Sequence, residues 1–190
     1  MRIIAGKYRG RRLQSPPSLE TRPTSDRLRE TLFNIIAPRI AGARFLDLCA
    51  GSGAVGIEAL SRGAAHVTLV DRSRQLGHLI ASNLALCVAD PDESAVVITD
   101  AIGFLRRSTQ SKVEPWAIVF FDPPYSADYS RVLNFFGGET SRLLAEDGLL
   151  VVEHHHKNDL PETVGSLRRR RVVKQSESAL SFYQEAEGED

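Results

Sequence analysis

Cysteine is scarce: only Cys49 and Cys87 occur among the 190 residues, far apart and inside apolar segments. That excludes a disulfide framework and a thiolate metal site, and a reducing cytoplasm is the expected compartment. Long apolar runs are missing as well; those present are of strand length, too short to span a bilayer. Met1-Arg2-Ile3-Ile4-Ala5-Gly6-Lys7 places no long apolar segment behind its first charge, so no secretory signal is expected. There is no internal repeat and no long low-complexity stretch. What remains, 42% hydrophobic and 25% charged residues, is the composition of one soluble globular domain with a short appendage.

Net charge is also lacking, but the balance is uneven. Residues 1–44 carry ten basic side chains against Glu20, Asp26 and Glu30, a net charge of +7, and the rest of the chain is correspondingly acidic. A basic end on a neutral protein suggests a local polyanion contact; a solvated basic face is the plainer alternative.

Residues 2–5 and 11–13 read as two short strands around the turn Gly6-Lys7-Tyr8-Arg9-Gly10. After a Pro- and Ser-containing connection, Thr24 or Ser25 can cap a helix with the apolar face Leu28, Leu32, Ile35 and Ile36, expected to end near Pro38. A regular alternation follows, with strands at 44–48, 67–70, 95–98, 117–121 and 149–153 and helices at 54–61, 74–86, 101–107 and 131–144. Short strands alternating with helices mean βαβ units and a parallel sheet covered on both faces. Residues 169–175 and 179–184 are two strand-like runs joined by only Ser176-Glu177-Ser178, so they form an antiparallel hairpin at the sheet edge. The expected fold is a doubly wound, mostly parallel α/β sheet of seven strands.

After the first strand comes Asp47-Leu48-Cys49-Ala50-Gly51-Ser52-Gly53-Ala54-Val55-Gly56. Glycines let the backbone turn sharply and approach a ligand, and the following helix N-terminus presents free N–H groups. Asp71, twenty residues after Gly51, ends the second strand, where a carboxylate can accept from both ribose hydroxyls. An adenosine-containing ligand is indicated, but Gly51, Gly53 and Gly56 also spell G-x-G-x-x-G, which fits a nicotinamide-dependent dehydrogenase. Asp47 leans away from a dinucleotide, because an acid there suits a ligand ammonium better than a pyrophosphate. Its plainer role is to brace the turn.

The strand Ile118-Val119-Phe120-Phe121 runs straight into Asp122-Pro123-Pro124-Tyr125. Two prolines remove two N–H donors and fix two φ angles, giving a rigid loop at the carboxyl edge of the sheet, where ligands of open α/β sheets bind. The loop presents the Asp122 carboxylate and backbone carbonyls such as that of Pro123 as acceptors, with the Tyr125 ring beside them. An exocyclic amine on a nucleobase needs this set. Its lone pair is delocalised into the ring, and two acceptors on its N–H groups orient it and free the lone pair for attack on a sulfonium methyl. Tyr125 can stack on a base swung out of its helix or loop.

Asp122–Tyr125 and 47–56 together resemble the paired signatures of class I amino-methyltransferases. Arg22-Pro23-Thr24-Ser25-Asp26-Arg27-Leu28-Arg29-Glu30-Thr31-Leu32-Phe33-Asn34 and the opening Arg2-Ile3-Ile4-Ala5-Gly6-Lys7-Tyr8-Arg9-Gly10-Arg11-Arg12-Leu13 resemble the N-terminal motifs of one subfamily. That subfamily is the bacterial 16S ribosomal RNA guanine-N2 methyltransferases of the RsmD type, and the resemblance runs nearly end to end. It implies a Rossmann-like methyltransferase domain over 21–190 behind a basic N-terminal hairpin extension over 1–20. It implies S-adenosyl-L-methionine as cofactor, with Gly51, Ser52 and Gly53 holding the methionine part and Asp71 the ribose. Asp100, followed by Ala101, would lie beside the adenine amine, and Thr24 near the cofactor's amino acid end. The substrate implied is the 2-amino group of a guanine in 16S rRNA, in the small ribosomal subunit or an assembly intermediate, modified by a monomeric enzyme. Asp122, Pro123 and Tyr125 would carry the chemistry. Arg2, Lys7, Tyr8, Arg9, Arg11 and Arg12 are the expected RNA contacts, by phosphate pairing and by stacking of Tyr8. Cys49 departs from the pattern, where a bulky aromatic is usual.

Glu153-His154-His155-His156-Lys157 follows the fifth strand, and no other Cys or His cluster completes a metal site, so these histidines are expected on a polar rim of the substrate cleft. Arg168–Arg171 could grip phosphate, but strand alternation sends about half of them to each face, and a solvated edge strand is the plainer expectation; Trp116 is expected as core. A DNA amino-methyltransferase of the adenine-N6 type stays open as the alternative, although no separate segment for reading a DNA sequence is evident. A dehydrogenase or a non-catalytic RNA-binding domain would leave Asp122–Tyr125 without a purpose. A 5-methylcytosine enzyme is excluded, because Pro124 stands where a Cys nucleophile would be needed.

Overall fold

A computed structural model describes residues 1–16, 25–111, 113–138 and 142–186. The chain divides into two compact units, Met1–Ala101 and Ile102–Asp190.

In the first unit, α1 (Asp26–Ile40) begins at Ser25, whose side chain accepts from the Leu28 amide, and buries Leu28, Leu32, Phe33, Ile36 and Ile40. It runs two residues past Pro38, where it was expected to end. Proline removes one N–H from the ladder, but the buried pair Ile36 and Ile40, one turn apart, holds the last turn in place. Then follow β1 (Arg44–Leu48), α2 (Ala54–Ser61), β2 (His66–Asp71), α3 (Arg74–Cys87), a 3-10 turn (Pro91–Glu93) and β3 (Ser94–Ile98). β1 pairs with β2 and β2 with β3, both parallel. β1 and β2 are buried almost throughout and α2 is buried at all eight residues, whereas β3 is half-exposed. Apolar runs without alternation are what a parallel sheet covered on both faces requires.

The second unit comprises α4 (Ala101–Gln110), which opens at the boundary, β4 (Trp116–Phe121), α5 (Ser130–Gly137), β5 (Leu144–His155), β6 (Thr163–Val164), β7 (Leu167–Gln175) and β8 (Ser178–Glu185). β4 and β5 are parallel, while β5–β8, β7–β8 and β6–β7 are antiparallel. The α/β class, the run of parallel strands from β1 to β3 and in β4 and β5, and the C-terminal hairpin are as expected, but among the described residues the strands number eight rather than seven. The addition is β6, two residues long. Trp116 is core, 1% exposed, with its ring tilted against Phe104.

The helix expected over 131–144 is shorter, ending at Gly137, and Leu144 instead opens β5. Two successive glycines weaken a helix, and Gly137 packs so closely that a Cβ there would lie 2.0 Å from the Val164 carbonyl oxygen. In β7 a bulge between Arg169 and Arg171 breaks the alternation expected of the arginine run. Arg169 turns inward, donating to the Leu160 carbonyl, while Arg170 and Arg171 stay exposed.

Candidate functional site

The glycine loop of the first unit is held by two acids. Cys49, Gly51 and Gly53 all take positive φ, at 64°, 57° and 77°, and Gly53 is the left-handed residue from which α2 starts without a side-chain cap. A side chain at Gly53 would be strained by that φ and would also press on Leu69 and Ile80. Asp47 is fully buried, and its Oδ2 accepts from the Gly56 amide at 2.9 Å. Burial pushes the Asp47 carboxyl up to about 7, opposed by the Gly56 hydrogen bond and reinforced by the nearby Asp71 charge. Of its two expected roles, bracing the loop is the one the geometry displays.

Asp71 accepts from the Gly51 amide at 3.0 Å through one oxygen and from the Ser73 amide at 2.9 Å through the other. Each carboxylate oxygen has a second lone pair, so this bracing leaves Asp71 able to accept two hydroxyls. The Asp71 carbonyl takes the Thr99 amide at 2.9 Å, which places the exposed Asp100 and then Ala101 after the carboxyl end of β3. Asp47, Gly51, Ser52, Gly53, Asp71, Asp100 and Ala101 therefore all lie at the carboxyl edge of three parallel strands. Thr24, Arg22 and Pro23 lie outside the described residues.

Asn83 went unnoticed as a functional position in the sequence. It is fully buried; its amide nitrogen donates to the Ser52 carbonyl at 2.9 Å and to the Gln14 carbonyl at 3.1 Å, and its oxygen accepts the Gln14 amide at 2.8 Å. One side chain thus joins the glycine loop to the segment leaving the N-terminal hairpin. Its signal was a polar residue on the apolar face of α3.

That hairpin is less free than expected. It contains a single bridge, Arg2 with Arg12, in place of two strands. Ile3, Tyr8 and Leu13 are buried. Glu58, the one charge in the otherwise apolar α2, is fully buried and accepts the Ile4 amide at 2.8 Å and the Ala5 amide at 3.0 Å. The same carboxylate receives Arg62 at 2.8 Å and has Arg29 at 3.8 Å. Gly6, at φ 82°, lies so close to Ser61 that a Cβ would overlap its carbonyl oxygen. Tyr8 does not present a free ring for a base to stack on: the residue is 7% exposed, as core, and Lys7 pairs with Glu93 at 2.6 Å. Arg2, Arg9, Arg11 and Arg12 are exposed, with Arg11 also donating to the Leu86 carbonyl.

In the second unit Asp122 is half-buried directly after β4, Pro123 is buried and Pro124 exposed; the Pro124 carbonyl accepts the Ala127 amide at 2.8 Å. Tyr125 shares a 2.7 Å hydrogen bond with the Ser178 hydroxyl and meets the His155 ring edge to face, centroids 5.4 Å apart. A cleft of about 470 Å3 opens beside it, lined by Tyr125, Asp128, Tyr129, Asn158 and Leu160 among others. Burial pushes the Tyr129 hydroxyl up to about 12, so it stays protonated. The histidine run is not a uniform polar rim. His154 is 2% exposed and held between the Ser181 hydroxyl at 2.9 Å and the His155 carbonyl at 3.0 Å, with burial depressing its pKa. Among the described residues no group of acids, histidines or cysteines is arranged to hold a metal ion, and no helix is long and apolar enough to cross a membrane.

Relatives match this chain over nearly their whole length. The chain is 42% identical to the ribosomal RNA small subunit methyltransferase D of Escherichia coli, an alignment covering 100% of this chain and 92% of that one. It is 37% identical to YlbH of Bacillus subtilis, over 96% of this chain and 98% of that one. The solved structure of yhhF from Escherichia coli superposes with a TM-score of 0.83 at 35% identity, covering 99% of each chain. The family described as "Conserved hypothetical protein 95" matches residues 1–184, and with these relatives it places the chain in the family of the ribosomal RNA small subunit methyltransferase D proteins.

Proposed function

We propose that this chain transfers a methyl group from S-adenosyl-L-methionine to the exocyclic 2-amino group of a guanine in 16S rRNA. The observation that carries the reading is the rigid acceptor loop Asp122–Tyr125 at the end of β4, in a chain whose relative bears the name small subunit methyltransferase D. The residues of the first unit fit the cofactor: an uncapped helix start behind positive-φ glycines suits its amino acid end, and the spare lone pairs of Asp71 suit its ribose. S-adenosylmethionine supplies the electrophilic methyl group. Gly51, Ser52 and Gly53 would hold the methionine part, Asp100 and Ala101 would serve the adenine, and Thr24 would serve the amino acid end. The Asp122 carboxylate and the Pro123 carbonyl accept the two amine hydrogens, orient the nitrogen and stabilise the charge that develops on it. Tyr125 stacks on the extruded base.

The exposed Arg2, Arg9, Arg11 and Arg12 of the 1–20 segment meet RNA phosphates, with Lys7 a weaker contact because it is already paired. The protein acts as a cytoplasmic monomer on the small subunit or an assembly intermediate of it. The test offers radiolabelled S-adenosylmethionine with undermethylated small subunits, naked 16S RNA and duplex DNA, and then maps the labelled base. Label on a guanine N2 of the subunit is expected; label on DNA adenine would overturn the reading.

A further inference from the structure

The histidine run and the turn of the C-terminal hairpin find a use in holding Tyr125. His155 of β5 and Ser178 of β8 are directly opposed across an antiparallel pair, so their side chains leave the same face of the sheet. Both reach the same ring: Ser178 shares the 2.7 Å hydrogen bond with the Tyr125 hydroxyl, and the His155 ring packs against it at 80°. The two supports are themselves fixed. His155 stacks on His156 with centroids 4.6 Å apart, and its Nδ1 accepts the Lys157 amide at 3.1 Å. Ser178 closes the two-residue turn Ser176-Glu177 by pairing with Gln175, and the Glu177 carbonyl accepts the His156 amide at 2.8 Å. The hairpin turn, the end of β5 and the acceptor loop thus meet at one tyrosine.

We infer that Ser178 and His155 are positioning residues for substrate capture, fixing the Tyr125 ring before a base arrives. This rests on the stacking role proposed for Tyr125. A ring held at its hydroxyl and one edge has little rotamer freedom left to lose on binding, so losing the hold weakens capture of RNA and leaves the chemical step alone. Tyr125→Phe and Ser178→Ala delete one hydrogen bond from its two ends.

Steady-state methylation of undermethylated small subunits reads the effect. Each variant is expected to raise KM about three- to tenfold, the range of one net hydrogen bond, with kcat within about twofold of the parent. The double variant should be no worse than either single one, because both remove the same bond. Ser178→Thr, which restores a hydroxyl at a strand position tolerant of β-branching, should bring KM back. His155→Ala should raise KM similarly. Unchanged KM in Ser178→Ala and Tyr125→Phe, or effects that multiply in the double variant, overturn the inference. Tyr125→Ala separates the levels: if it leaves KM unchanged, stacking by Tyr125 itself is wrong. If it raises KM while Tyr125→Phe and Ser178→Ala do not, only the positioning role fails.

Discussion

The Gly51 amide donates to Oδ2 of Asp71 at 3.0 Å, across twenty residues of sequence. The acid assigned to the ribose therefore also shapes the loop assigned to the methionine part. Asp71→Ala should lower cofactor affinity more than the loss of ribose contacts alone, because the Gly51 amide loses its partner. Thermal shift measures this: S-adenosylmethionine or its demethylated product raises the melting temperature of the parent by mass action, and the variant should show a much smaller shift. A protein stabilised by NADH and not by S-adenosylmethionine would contradict the cofactor assignment.

Asp122→Ala removes an acceptor from the reacting amine. Turnover should drop by roughly a hundredfold or more, as when one transition-state hydrogen bond is lost, while the cofactor's thermal shift is nearly unchanged. Single-turnover methylation with saturating cofactor is the measurement, and a near-normal rate would remove Asp122 from the mechanism.

Asp47 makes stability depend on pH. Its folded carboxyl titrates at about 7, against 3.8 ordinarily, because burial disfavours the charge. The folded chain then holds this proton more tightly than the unfolded chain. Between about pH 4 and 7 stability should fall as pH rises and level off above 7. Asp47→Asn keeps an oxygen for the Gly56 amide and carries no charge. Urea unfolding of both proteins at several pH values should show the slope in the parent and its loss in the variant; identical profiles would refute it.

The N-terminal hairpin cannot be removed cleanly. With Ile3, Tyr8 and Leu13 buried and Glu58 bonded to Ile4 and Ala5, deletion of residues 1–12 should lower the melting temperature. Glu58→Ala should cost about 3–5 kcal/mol, since it strips the Ile4 and Ala5 amides of their acceptor and leaves buried Arg29 with Asp26 as its remaining acid. RNA contact is better tested by replacing the exposed Arg2, Arg9 and Arg12 with Ala. Three lost phosphate contacts should flatten the salt dependence of subunit binding by about two in the log–log slope, with melting unchanged. Equal slopes would leave the hairpin a purely structural element.

The α/β class and nearly every helix and strand were legible because their signals are local: β1 and β2 are short, largely apolar runs, Gly51 and Gly53 permit positive φ where they stand, and Pro123 and Pro124 fix φ where they stand. Element ends were read less well. Ile40 carries α1 past Pro38 through burial, and the Val164 backbone crowds Gly137 from 27 residues away. The acceptor loop and the glycine loop declared themselves as motifs, whereas the residues that hold them did not. Glu58, Asn83, His155 and Ser178 act on partners 23 to 69 positions distant, with His155 counted by its strand partner and Ser178 by Tyr125. Tyr8 reads from the sequence as a ring for stacking, but its amide is tied to the Ser61 hydroxyl of α2 and the residue is buried. A motif records which groups a reaction needs; which surfaces stay open to a substrate depends on what the rest of the chain packs against, and that is a property of the tertiary structure alone.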